Sequence, residues 1–172
     1  PDGLLGFLKG LERDGGIELW VDEKLSGGDE WDDVLKNGIR DCDIGLVFVS
    51  QAFLDSHYCM DVEISGFLDR CRNEGMKIFP ILLSPCEWEL HPWLSQYQAL
   101  PSGSETIEEH YTEQGKRKRL YLKIRKELRS LIEKVRAERL AKKLAGKEER
   151  GAVWARQFDN LANMEIHRST TG

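Results

Sequence analysis

The sequence predicts an α/β domain: a parallel sheet flanked by helices, with a long helix toward the C-terminal end. Three observations predict it. Two short apolar runs, IGLVFVS at 44–50 and KIFPILLS at 77–84, are bounded by polar residues and read as strands. Segments with apolar side chains at helical spacing alternate with such runs, which is the pattern of strand–helix–strand units. From about residue 112 the apolar positions repeat in 3- and 4-residue steps over many turns.

Each element follows from its residues. LLGFLKGLER (4–13) places apolar side chains at 4, 5, 7, 8 and 11, helical spacing, and Gly15-Gly16 ends it. IELWVD (17–22) alternates Ile17, Leu19 and Val21 with Glu18, Trp20 and Asp22 and reads as a short strand. EKLSGGDE (23–30) is a polar loop whose Asp29 can cap a helix carrying Trp31, Val34, Leu35 and Ile39 on one face. IGLVFVS is almost wholly apolar, so it is expected in the middle of the sheet, buried on both faces. A helix then runs through EISGFLDRCRNEG, with Gly75 as its stop. Pro80 inside the next strand predicts a bulge or a position nearer the sheet edge. Residues 85–105 hold turn signals and aromatics, and SETIEE is a weak candidate for a fourth strand. Trp88, Trp93 and Tyr97 are read as covering the edge of the sheet, Trp31 as core packing, and His91 beside Pro92 as a loop residue. The last helix carries Leu120, Ile124, Leu128, Leu131, Ile132 and Val135, with Gly146 as its expected end.

The 172 residues are enough for one domain and an appendage. The domain is placed at 1–146, and 147–172 is read as a linker or the start of a further region. The chain begins Pro1-Asp2-Gly3, which leads us to expect a piece of a longer protein. No apolar run nears the ~20 residues that span a bilayer, and no signal-peptide pattern is visible, so a cytoplasmic protein without membrane contact is expected. Cys42, Cys59, Cys71 and Cys86 show neither CxxC nor zinc spacing and are expected to be reduced thiols; no metal is expected. Charge is uneven. Residues 111–150 carry 15 Lys/Arg against 6 Asp/Glu, a balance of +9, while the rest carries 10 against 24, or −14. The acidic body argues against nucleic-acid binding by the domain. The basic stretch could meet phosphate or an acidic partner, but a solvated helix face is the reading we favour.

Ligands of open parallel sheets sit outside the carboxyl ends of the strands. That edge would hold Asp22, the 23–30 loop, Ser50 and the stretch SQAFLDSHYCMDVEI that Ser50 begins. The ordered combination of IELWVDEKLSGGDEW, IGLVFVSQAFLDSHYCMDVEI, IFPILLSPCEW and LSQYQALP resembles the Toll/interleukin-1 receptor (TIR) domain family, most closely its bacterial branch, over about residues 4–135. The resemblance implies a flavodoxin-like fold. In many members it also implies cleavage of NAD⁺ between nicotinamide and ribose, while other members only assemble with further TIR domains. The family's first strand, central in its sheet, has no counterpart here, so a longer natural protein or a strand from another chain is expected.

The family's essential glutamate, on the helix after the third strand, corresponds to Glu63, followed by Ile64 and preceded by Tyr58-Cys59. Glu63 lies four residues after Cys59, where many members have three, and Tyr58 stands where Trp is common. The resemblance further implies substrate contacts from Ser50, Tyr58, Cys59, Asp22 and Lys24. It makes Ser26, Gly27 and Gly28 part of a loop that covers the site and meets a neighbouring subunit. NAD⁺ would be a substrate and no cofactor would be needed. Each residue has a plainer reading. Glu63 can be a first-turn glutamate favoured by the helix dipole. Ser50 can be a helix cap, Asp22 and Lys24 solvated charges, and the glycines an ordinary turn.

The sequence therefore leads to an NAD⁺ glycohydrolase giving nicotinamide and ADP-ribose or a cyclic ADP-ribose, in assembly-dependent immune or defence signalling. The alternative is a non-catalytic TIR–TIR interaction module. A phospho-receiver shares the fold but needs acidic residues after a first strand. A phosphate-loop NTPase is disfavoured by the absence of GxxxxGK followed by Ser or Thr, and an α/β-hydrolase by the absence of GxSxG.

Overall fold

The computed structural model describes residues 3–15, 17–19, 37–38, 40–57, 60 and 64–169, apart from the side chains of 15 and 151–169. The chain divides into two units, Pro1–Arg129 and Ser130–Gly172. The first is an α/β unit. Its elements are α1 (Leu4–Gly15), β1 (Ile44–Val49), α2 (Gln51–Leu54), α3 (Ser65–Asn73), β2 (Lys77–Leu82), α4 (Ile107–His110) and the beginning of α5 (Gln114–Ser169). In the second unit α5 continues, with Leu140 and Leu144 exposed.

β1 and β2 pair in parallel, Ile44 opposite Lys77 through Val49 opposite Leu82. Backbone bonds extend the ladder at both ends, from the Lys77 N–H to the Asp43 carbonyl (3.0 Å) and from the Leu83 N–H to the Val49 carbonyl (2.8 Å). β2 also forms a single bridge, Ile81 to Leu100, in which Leu100 N–H donates to Pro80 (3.1 Å) and Leu82 N–H to Leu100 (2.8 Å). Those bonds explain why Pro80 is accepted inside a strand. Its missing N–H lies on the Leu100 side, where there is one bridge and not a full ladder. β2 is thus unbulged, and the side on which Pro80 lacks its N–H is the edge of the two-stranded sheet among the described residues, as the proline predicts.

The core follows from strand alternation. On one face, Val47, Val49, Ile78 and Leu82 join Leu54, Ile64 and Leu94 in one buried cluster, against which Phe53, Met60, Phe67, Leu68, Trp88, Trp93 and Tyr97 pack. The aromatics at 88, 93 and 97, expected to cover the edge of the sheet, thus pack against its core cluster. Gly45 shares that face because a Cβ there would come within 2.8 Å of Met76 Cε and 3.2 Å of Phe67 Cζ. On α5, Leu120, Tyr121, Ile124 and Leu128 are buried, as are Leu8 and Leu11 of α1. The two helices meet edge-on through Phe7 and Tyr121, ring centroids 5.4 Å apart. Asp14 accepts from both Arg125 and Arg129.

Four local expectations change. Residues 17–19 are not strand, and the rest of 17–22 lies outside the described residues. Here the Leu19 N–H is taken by the Glu12 carboxylate (3.1 Å), not by a ladder. SETIEE begins a helix, since Thr106 caps α4 by accepting from the Glu109 N–H (3.4 Å). Gly146 does not end α5, which continues to Ser169. A glycine inside a helix costs only about 1 kcal/mol, too little to stop one alone. Finally, β1 is buried on one face only: Ile44 and Leu46 are half-buried and Phe48 is 38% exposed. The helix expected at 29–39 falls largely outside the described residues, though 37, 38, 40 and 41 are helical. Gly75 ends α3 as expected, at φ 82°, with its N–H and that of Glu74 both donating to the Arg70 carbonyl.

Candidate active site

At the carboxyl end of β1 the chain leaves the sheet at Ser50. Its backbone is extended (φ −141°, ψ 167°), and its hydroxyl accepts from the Phe53 N–H at 3.2 Å while its carbonyl accepts from Leu54 at 3.0 Å. Ser50 is therefore the N-cap of α2. Capping uses one lone pair and leaves the hydroxyl proton available to a ligand.

Gln51, which the sequence reading passed over, holds this corner together. Its side-chain oxygen accepts from the Glu87 N–H (3.0 Å), and its amide nitrogen donates to Asp55 (2.9 Å). The loop after β1 is thereby tied to the loop after β2. A Gln directly behind a strand-ending N-cap is the only signal for this in the sequence, and it is a weak one.

The chain then passes Ser56, whose carbonyl accepts from Met60 at 3.0 Å, and reaches Ile64, 2% exposed in the core cluster. Of the residues predicted for the site, Glu63, Tyr58, Cys59, Asp22, Lys24, Ser26, Gly27 and Gly28 lie outside the described residues. Ser50 is the one the structure positions.

The described thiols near the sheet are held as thiols. Burial raises the pKa of Cys42, Cys71 and Cys86. Burial also pushes the Tyr97 phenol up to about 12, helped by its hydrogen bond to Cys71. None of these groups is a ready nucleophile at neutral pH. The Trp93 indole N–H is buried with no hydrogen-bond partner among the described residues. Among those residues no group of His, Cys, Asp and Glu could hold a metal ion, and no helix is long and apolar enough to cross a membrane.

This fold agrees with comparison to known proteins. The TIR domain family matches residues 7–120, and the chain belongs to that family. It is a family of signalling and TIR–TIR interaction domains, and the parallel pair with its flanking helices is the α/β architecture expected of it. The chain is also similar to an uncharacterized protein, y4lF, of Sinorhizobium fredii, 31% identical over 106 residues. That match covers 62% of this chain and 32% of the relative, so the chain spans about a third of that protein's length; a bacterial-type TIR domain fits this relative. No solved structure matches.

Proposed function

We propose that the chain is the TIR domain of a cytoplasmic NAD⁺ glycohydrolase acting in assembly-dependent immune or defence signalling. The observation that carries the reading is Glu63 itself, in a chain of this family. It is followed by the core-buried Ile64 and preceded, one strand end earlier, by the capped corner at Ser50.

The chemistry suits one carboxylate. Nicotinamide in NAD⁺ is a cationic pyridinium, so when the N-glycosidic bond breaks its electron pair stays on nitrogen and a neutral base departs. The ribose gains oxocarbenium character, as in glycoside hydrolysis. Glu63 would stabilise that charge, hold the ribose hydroxyls, or attack the anomeric carbon. Water then bonds to that carbon and releases a proton, giving ADP-ribose; attack by the adenine of the same molecule gives a cyclic product. Ser50, Tyr58, Cys59, Asp22 and Lys24 are the proposed substrate contacts. Ser26, Gly27 and Gly28 are assigned to the loop that covers the site and meets the neighbouring TIR domain.

The test is nicotinamide release from NAD⁺ by assembled protein beside Glu63→Gln. We expect the variant to assemble normally and to lose about 10²–10³-fold in rate, the scale of removing one aimed electrostatic contact. Assembled protein that leaves NAD⁺ intact would make the chain a non-catalytic interaction module instead.

A further inference from the structure

α5 opens with a concavity of about 200 Å³, lined by Tyr111, Lys116, Arg119, Leu120 and Lys123. The three cations sit at i, i+3 and i+7, one face of a helix. The other arginines of these turns are committed elsewhere. Arg117 donates to the carbonyls of Tyr111 (2.8 Å) and Thr112 (3.2 Å), and Arg125 and Arg129 hold Asp14.

The lining cations are differently placed. Among the described residues neither Arg119 nor Lys123 has a carboxylate partner, and the Lys123 ammonium reaches only the Ser102 hydroxyl, at 3.4 Å. Arg119 folds back over the first turn, its Nη1 3.9 Å from where a Cβ on Gly115 would stand. Lys116 meets Glu113 at 3.2 Å, both side chains more than half exposed, a pair that water weakens. Glu105 is occupied by the Tyr111 hydroxyl, which donates to it at 2.6 Å. With Glu113 counted against Lys116, and Glu105 still anionic beneath its hydrogen bond from Tyr111, the three lining cations and two carboxylates leave a balance of +1, carried by Arg119 and Lys123 beside an apolar wall of Tyr111 and Leu120. It is smaller than the ~300–1,000 Å³ of typical organic-ligand clefts. Compact, multiply charged oxyanions fit that volume and charge, and Arg119 supplies the planar fork that suits phosphoryl oxygens.

We propose that this concavity binds the phosphoryl groups of a di- or triphosphate ligand. None of its residues belongs to the NAD⁺ site proposed above, and the two proposals stand or fall separately. The experiment is calorimetric titration of the whole chain with inorganic pyrophosphate, against the double variant Arg119→Gln with Lys123→Gln. A charge-matched control, Lys126→Gln with Lys134→Gln, removes two exposed cations outside the pocket. Circular dichroism checks that helix content is unchanged in each.

We expect saturable binding, one pyrophosphate per chain, weakened at least about tenfold in the pocket variant and less than about twofold in the control. Competition by a nucleoside triphosphate identifies a free phosphate ligand. Recruitment to phosphoinositide vesicles that pyrophosphate reverses identifies a lipid headgroup. Either supports the pocket. No saturable binding of pyrophosphate, or equal weakening in the control, would overturn it.

Discussion

β1 and β2 are register partners, yet their surroundings differ. On the face that carries Phe48 and Ile81, opposite each other in the ladder, Ile81 is fully buried and Phe48 is 38% exposed. On the other face Val47, Val49, Ile78 and Leu82 are all buried. Cover on the first face thus ends between two neighbouring strands. Hydrophobicity alone does not reveal where that boundary runs. IGLVFV is the more uniformly apolar strand, and KIFPIL, with a lysine and a proline, is the more completely buried.

The largest effect expected from this difference is at Ile81. Ile81→Ala should cost about 2–5 kcal/mol, the range for truncating a buried aliphatic side chain, and denaturant unfolding measures it. Phe48→Ala, across the ladder, should cost about 1 kcal/mol although it removes more atoms, because its side chain is already partly in water. Equal losses at the two positions would mean that the asymmetry between the strands does not persist in solution.

A smaller effect is expected at the strand end. Ser50→Ala removes the cap of α2 and should cost about 1 kcal/mol, with Ser50→Asp recovering most of it. If Ser50 also contacts NAD⁺, Ser50→Ala raises KM beyond what the stability loss explains.

The smallest effect is in pH dependence. In the folded chain the Tyr97 phenol holds its proton up to about 12, against about 10 when unfolded. The native state therefore keeps a proton that the unfolded chain has lost. This contribution is complete below pH 10 and disappears as pH rises through about 12. Tyr97→Phe should flatten that alkaline decline without changing stability at pH 7 beyond the loss of one hydrogen bond.

Much of the fold was legible because it rests on local rules. α1, the two strands and the stop at Gly75 each follow from residues within one element. Misreadings came where a side chain competed with the backbone pattern. Glu12 takes the Leu19 N–H that a strand at 17–22 would need, and Thr106 turns a strand-like SETIEE into a helix start. The site was legible chiefly as a resemblance. No periodicity singles out Glu63 from the other acidic residues of the chain, and its role depends on a ligand that the sequence does not encode. Gln51 was missed because its importance is a contact to Glu87, 36 residues away.

The bonds from Asp14 to Arg125 and Arg129 span 111 and 115 positions of chain. During synthesis Asp14 of α1 emerges 111 and 115 residues before the arginines that fasten it, at roughly 5–20 residues per second. For that interval the apolar side of α1, with Leu8 and Leu11, must wait without its final partner. A ribosome stalled before residue 125 has cleared the exit tunnel should therefore display a protease-sensitive α1, which becomes resistant once Arg129 is out.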